Sequence, residues 1–132
     1  MNKPERDALL LWVQEHRCCG ICWWPESDGR RKLDVHHLVG GAGRKHDIRN
    51  YLRLCFRCHG VLHSGKIFGG FPDLTNAILL SSKQESDPEN YDAVFLASLR
   101  HKKHLGYDPA PIPQYYLDER ELNTLSWTAR TP

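Results

Sequence analysis

No apolar run in this chain approaches the roughly 18–20 residues that a membrane-spanning helix needs. The N-terminus, Met-Asn-Lys-Pro-Glu-Arg-Asp, has no apolar signal core. There are no internal repeats and no heptad pattern. These absences argue against membrane-spanning, coiled-coil and solenoid classes, and the expected location is the cytoplasm. Thiols stay reduced there, so the 5 cysteines point to metal binding rather than disulfides. A length of 132 residues allows one domain, or a small domain with an extension.

Acidic residues are scarce in one stretch. Between Gly29 and Lys66 the only acids are Asp34 and Asp47, against nine basic residues, so this stretch carries +7 and the remainder −5. Five of the 8 histidines also fall there. A basic run alone is usually a solvated surface. Here it coincides with the candidate ligands described next, which favours a polyanionic partner.

Cys19, Cys22, Cys55 and Cys58 form two Cys-x-x-Cys pairs separated by 32 residues. Each pair offers two thiolates from one tight bend, and two bends complete a tetrahedral zinc shell. Four thiolates leave no open position, so this Zn²⁺ should be structural and should supply folding energy. Cys18 is the spare thiol. Between the pairs lies Asp34-Val35-His36-His37, and the second pair runs into His59 and His63. His59 and His63 are four residues apart, hence on one helical face. Strand alternation sends His36 and His37 to opposite faces or, with a bend, to two edges of one site. His36, His59 and His63 together would hold a divalent cation and leave positions open, which is the composition of a catalytic centre. Three imidazoles suit Zn²⁺, Ni²⁺ or Mn²⁺ better than Mg²⁺. His46 reads as a surface residue by default, with ligand or phosphate donor as its functional reading.

The expected elements are a helix over 4–16, a turn at 19–22 and a loop over 23–31. A strand over 31–39 follows, then a glycine-rich loop, a returning strand over 51–54 and a helix from 56 or 57 to about 63. Beyond this, helices are expected near 75–80, over about 87–104 and over 118–125, with a proline-stiffened segment at 108–113. The fold class is therefore α+β.

On Asp34-Val35-His36-His37-Leu38, Gly40-Gly41, Asn50-Tyr51-Leu52, Leu54-Cys55-Phe56-Arg57-Cys58-His59 and His63, the chain resembles the HNH, or ββα-metal, endonucleases. It is similar in its cysteine pairs to the phage-type and McrA-like branch. The resemblance spans roughly Cys19 to Gly65. It implies a small zinc-stapled ββα-metal core that cuts DNA. It further implies that His36, His59 and His63 bind the catalytic cation, that His37 is the general base and that Asn50 orients His37 by hydrogen bonding. The expected division is a nuclease domain over 1–70, N-terminal helix included, and a mostly helical extension over 71–132.

Arg44 and Lys45, in the glycine loop, are the leading candidates for phosphate contacts, with Arg49, Arg53 and Arg57 behind them. Asp34 is read either as a hydrogen-bond partner for a histidine or as a surface residue at a strand end. Cutting two strands in register would need a homodimer or two visits. The basic helix end at Arg100–His104 is the candidate for DNA or dimer contacts, although a helix C-terminus favours basic residues in any case. The alternative function is a zinc-stabilised nucleic-acid-binding module without catalysis.

Overall fold

Helix α1 (Lys3–Glu15) starts at a reciprocal cap. Asn2 Oδ1 accepts the Glu5 N–H at 2.9 Å, and Glu5 Oε1 accepts the Asn2 N–H at 2.8 Å. Pro4 sits in the first turn, where no N–H is required. The structure is a computed structural model and describes residues 1–27, 32–40, 45–63, 71–99 and 108–130.

After α1 the chain enters the first cysteine turn. The Cys19 N–H donates to Trp24 O at 2.9 Å and the Trp23 N–H to Cys19 O at 3.0 Å. Trp23 takes φ 64°, an uncommon choice for a residue with a Cβ. Gly20 is required by close approach, since a Cβ there would lie 2.5 Å from Leu52 Cδ1.

Strands β1 (Asp34–His37) and β2 (Tyr51–Leu54) pair antiparallel. The register is Asp34 to Leu54, Val35 to Arg53, His36 to Leu52 and His37 to Tyr51. Helix α2 (Phe56–His63) follows β2 directly. Helices α3 (Asn76–Ser86), α4 (Ala93–Leu99) and α5 (Gln114–Arg130) complete the described chain. The α+β class therefore holds, with five helices and one two-stranded sheet among the described residues. No helix among them is long and apolar enough to cross a membrane.

The metal-ligand region and the C-terminal helices bury one shared apolar cluster. Ile21, Leu52, Leu54 and Val61 contribute from the former, and Leu79, Leu96, Ile112 and Tyr116 from the latter. Each such side chain contributes about 1.5–3 kcal/mol on burial. Polar ties cross the same boundary. Lys83, 0% exposed, bonds Asp87 at 2.6 Å and Ile48 O at 2.8 Å. Asp87 also accepts from the Trp12 indole at 2.9 Å and lies 3.1 Å from His16 Nε2. Burial alone would raise the Asp87 carboxyl, but His16, Lys83 and Trp12 together hold it well below the usual carboxylate range. The hydrogen bond to Asp87 raises His16 above its ordinary value.

Element boundaries depart from expectation at four places. β1 is shorter than 31–39, and its first expected residue, Arg31, lies outside the described set. The helix expected at 75–80 continues to Ser86, because Lys83 and Asp87 anchor its last turn inside the protein. The helix expected over 87–104 is instead a 3-10 turn at Pro88–Asn90 followed by α4. Asp92 separates the two by capping the Phe95 N–H with its side chain at 2.9 Å. Its expected basic end, Arg100–His104, lies outside the described residues. The last helix begins at Gln114 rather than Asp118, immediately after Pro113.

Candidate metal centres

The four paired cysteines converge. Cys19, Cys22, Cys55 and Cys58 are at most 1% exposed, and their sulfurs all lie within 4.8 Å of one another. The Cys22 and Cys55 sulfurs are 3.7 Å apart. Tetrahedral zinc with bonds of about 2.3 Å requires sulfurs roughly 3.8 Å apart, so this cluster fits structural zinc. Burial works to raise Cys19, but hydrogen bonds from the other three thiols outweigh it and draw Cys19 toward thiolate. Cys22 and Cys58 are raised, chiefly as hydrogen-bond donors to Cys19. Cys18 stands aside from the cluster. Its thiol is pushed up to about 11 by burial and by the charge of Cys19, so it is a poor nucleophile.

Side chains from α5 clasp the first cysteine turn. Arg120 donates to Ile21 O at 2.6 Å and to Gly20 O at 3.2 Å, and Asn123 donates to Cys22 O at 2.7 Å. The Arg120 guanidinium also lies 4.8 Å from the centre of a Trp23 ring, which helps to hold that residue in its left-handed conformation. Composition and spacing hold no signal for these contacts, which join residues about a hundred positions apart.

The second cluster lies across the hairpin and α2. One ligand nitrogen from each of His36, His59 and His63 falls within 4.8 Å of the others. The ring centroids of His59 and His63 are 4.7 Å apart, as one helical turn dictates. His36 joins them from β1, at 5.4 Å from His59 and 6.1 Å from His63. His36 is lowered to about 4 by burial and by its neighbours His59, His63 and His37. It is therefore neutral at physiological pH, with a lone pair to offer a cation. Asp34 Oδ2 accepts from His59 Nδ1 at 2.8 Å. That bond sets the tautomer and leaves Nε2 for a ligand, so of its two readings Asp34 takes the first. The three imidazoles fit a divalent ion and would leave its remaining positions open.

His37 ends β1 and packs edge-on against Tyr51, at 5.2 Å between ring centroids, and against His46 at 5.5 Å. Asn50 differs from expectation. Its side chain is 0% exposed and bonds the loop backbone: Val39 N–H at 2.9 Å, Val39 O at 3.1 Å and Lys45 O at 3.1 Å. A buried amide must satisfy both its oxygen and its nitrogen, and the two ends of the loop do so. Asn50 thus closes the loop behind His37, and these bonds replace the expected direct one to the imidazole.

The expected phosphate-contact residues separate sharply. Arg44 lies outside the described residues, and Lys45 is exposed. Arg53 requires correction. It is 3% exposed and donates to Glu26 at 2.6 Å and to the carbonyls of Val13, His16 and Leu33, so it is a core strut. Arg49 is held by both oxygens of Asp47 and by Asp92, with its guanidinium 3.6 Å from the centre of the Phe95 ring. Arg57 pairs with Glu119 at 2.5 Å and reaches Cys58 Sγ at 4.0 Å. Much of the local positive charge is therefore neutralised by Glu26, Asp92 and Glu119, all outside the basic stretch. Counting charges along the chain could not reveal this pairing.

Residues 19–65 match the HNH endonuclease family, and the four-cysteine cluster fits its zinc-binding branch. The match begins at the first zinc-site cysteine and ends just beyond His63, so it contains both clusters. No curated protein and no solved structure matches the chain. An HNH domain implies a nuclease-type function, a divalent metal and DNA as substrate.

Proposed function

We propose that this HNH domain is a metal-dependent endonuclease that hydrolyses DNA phosphodiester bonds. The observation that carries this reading is the convergence of His36, His59 and His63, drawn from two separate elements, beside His37. A structural site closes its shell, as the four cysteines do. Three imidazoles at a half-exposed surface suit a site that admits substrate.

In this reading His37 takes the proton of the attacking water. A neutral imidazole is suited to that task near pH 7. His36, His59 and His63 hold the cation, and Asp34 fixes the His59 tautomer. The cation, when bound, neutralises charge that builds on the phosphate and on the departing 3′ oxygen. Asn50 keeps the loop ends together so that β1 delivers His37 in one place. Lys45 is exposed beside the loop and offers a phosphate contact. Residues 71–132 are an extension that completes the core of the domain.

The test is cleavage of supercoiled plasmid with Zn²⁺, Ni²⁺, Mn²⁺ or Mg²⁺, with a chelator control. His37→Ala should lower turnover about 10²–10⁴-fold while leaving the melting temperature unchanged. Wild-type protein that binds DNA but fails to nick it under every one of these cations would replace this reading with a zinc-stabilised binding module.

A further inference from the structure

Helix α2 carries ligands for both clusters. Cys58, with Cys55 just before the helix, belongs to the four-thiol site, and His59 and His63 belong to the imidazole set. The thiol turn fixes the start of the helix. The His59 N–H donates to Cys55 O at 2.9 Å, and the Cys58 N–H to Cys55 Sγ at 3.4 Å. Two anchoring sulfurs still allow rotation about the line that joins them. Val61, 2% exposed, adds apolar contact, which is non-directional. At the helical rise, His63 lies roughly 7.5 Å beyond Cys58 along the axis, so a swing of about 10° would move it by roughly 1 Å. Metal–nitrogen bonds of about 2.0–2.1 Å do not tolerate such a shift.

A polar attachment beyond the thiols reaches α2 from α5. Arg57 donates to Glu119 at 2.5 Å, with the two side chains 23% and 21% exposed. The guanidinium lies 5.0 Å from the centre of the Phe71 ring and 6.0 Å from those of Tyr115 and Tyr116. Helix α5 is itself fixed, by Tyr116, 0% exposed, and by the bonds of Arg120 to the Gly20 and Ile21 carbonyls. Arg57 and His59 are two positions apart, hence about 200° around the helix axis. Glu119 therefore holds α2 on one side, while Asp34 holds it on another through His59. Among the described residues α5 supplies no ligand to either cluster. We propose that Glu119, acting through Arg57, is a positioning residue for His59 and His63 against His36, so that the C-terminal extension sets the affinity for the catalytic cation. This inference rests on the reading that the three imidazoles hold a cation.

The probe is Ni²⁺, titrated by calorimetry into zinc-replete protein. Glu119→Gln keeps the size of the side chain and removes its charge, and Arg57→Leu removes the other partner. Each should raise the Ni²⁺ Kd about three- to tenfold, and the double variant should be no weaker than Arg57→Leu alone. The cation concentration for half-maximal DNA cleavage should rise by the same factor, with kcat at saturating cation within about twofold of wild type. Asp87→Asn, which loosens the ties among Trp12, His16 and Lys83, should lower the melting temperature and leave the Ni²⁺ Kd unchanged. A Kd within about twofold of wild type in Glu119→Gln would overturn the proposal. So would losses that multiply in the double variant, because Glu119 would then not act through Arg57. An equal loss of affinity in Asp87→Asn would overturn it too, since the effect would be one of stability alone. If Arg57→Leu fails to fold, Glu119→Gln decides. Wild-type protein that binds no Ni²⁺ beyond its zinc would instead overturn the cation reading, and the proposal with it.

Discussion

Two ligand clusters sit in one small ββα unit, and they differ in nearly every physical respect. The four cysteines are buried to within 1% and share their environment with the apolar core. The three histidines are half-buried or exposed, with His63 the most open. The first cluster is clasped from outside by Arg120, Asn123 and the Arg57–Glu119 pair. The second has a single flanking hydrogen bond, from His59 to Asp34, among the described contacts. A closed shell deep in the protein stabilises the fold and excludes substrate. An open set of imidazoles contributes less to stability and leaves room for chemistry.

Removing a zinc ligand should break the first half of this contrast with the largest effect. Cys58→Ser, or prolonged chelation, should leave the chain largely unfolded at 37 °C by circular dichroism, because the apparent free energy of a structural zinc is about 10–16 kcal/mol in small zinc modules. His63→Ala should instead leave the melting temperature within about 2 °C and weaken binding of the second cation, as seen by calorimetry on zinc-replete protein. A similar loss of fold in both variants would erase the distinction.

The clasp ranks next. Arg120→Ala leaves the Gly20 and Ile21 carbonyls without their donor and should cost about 3–5 kcal/mol in denaturant unfolding. The same substitution at exposed Lys45 should cost under about 0.5 kcal/mol while weakening DNA binding and flattening its salt dependence. Gly20→Ala sharpens the picture further. Its Cβ would displace Leu52, at a cost of about 1–3 kcal/mol.

The smallest effect is in pH. Asp87 is depressed in the folded protein, so its contribution is present above the ordinary carboxylate range and is lost as pH falls through the folded value. His16 is raised, so its contribution is complete below about 6.5 and is lost as pH rises through its folded value. Stability should therefore decline gently on both sides of a plateau at mildly acidic pH. In His16→Ala the alkaline decline should vanish, as followed by thermal melts between about pH 4 and 9.

The hairpin and α2 were legible in the chain because local rules govern them. Tyr51–Leu54 and Phe56–His63 lie where alternation and helical spacing put them, and the two Cys-x-x-Cys turns meet as their spacing implies. Expectations failed where a distant residue decided the outcome. Arg53 looked like a phosphate contact until Glu26 and three carbonyls enclosed it, and Asn50 looked like a partner for His37 until the loop ends claimed its amide.

Residue type and spacing along the chain were enough to point to the two candidate ligand clusters, the α+β class and the HNH match over residues 19–65. A thiolate pair in a tight turn, or imidazoles one helical turn apart, carry their geometry with them. Tertiary structure alone decided which charges remain free, what touches His37 and how the last helix closes on the zinc turn. Those outcomes depend on contacts between residues tens of positions apart, and no local pattern encodes the packing that brings them together.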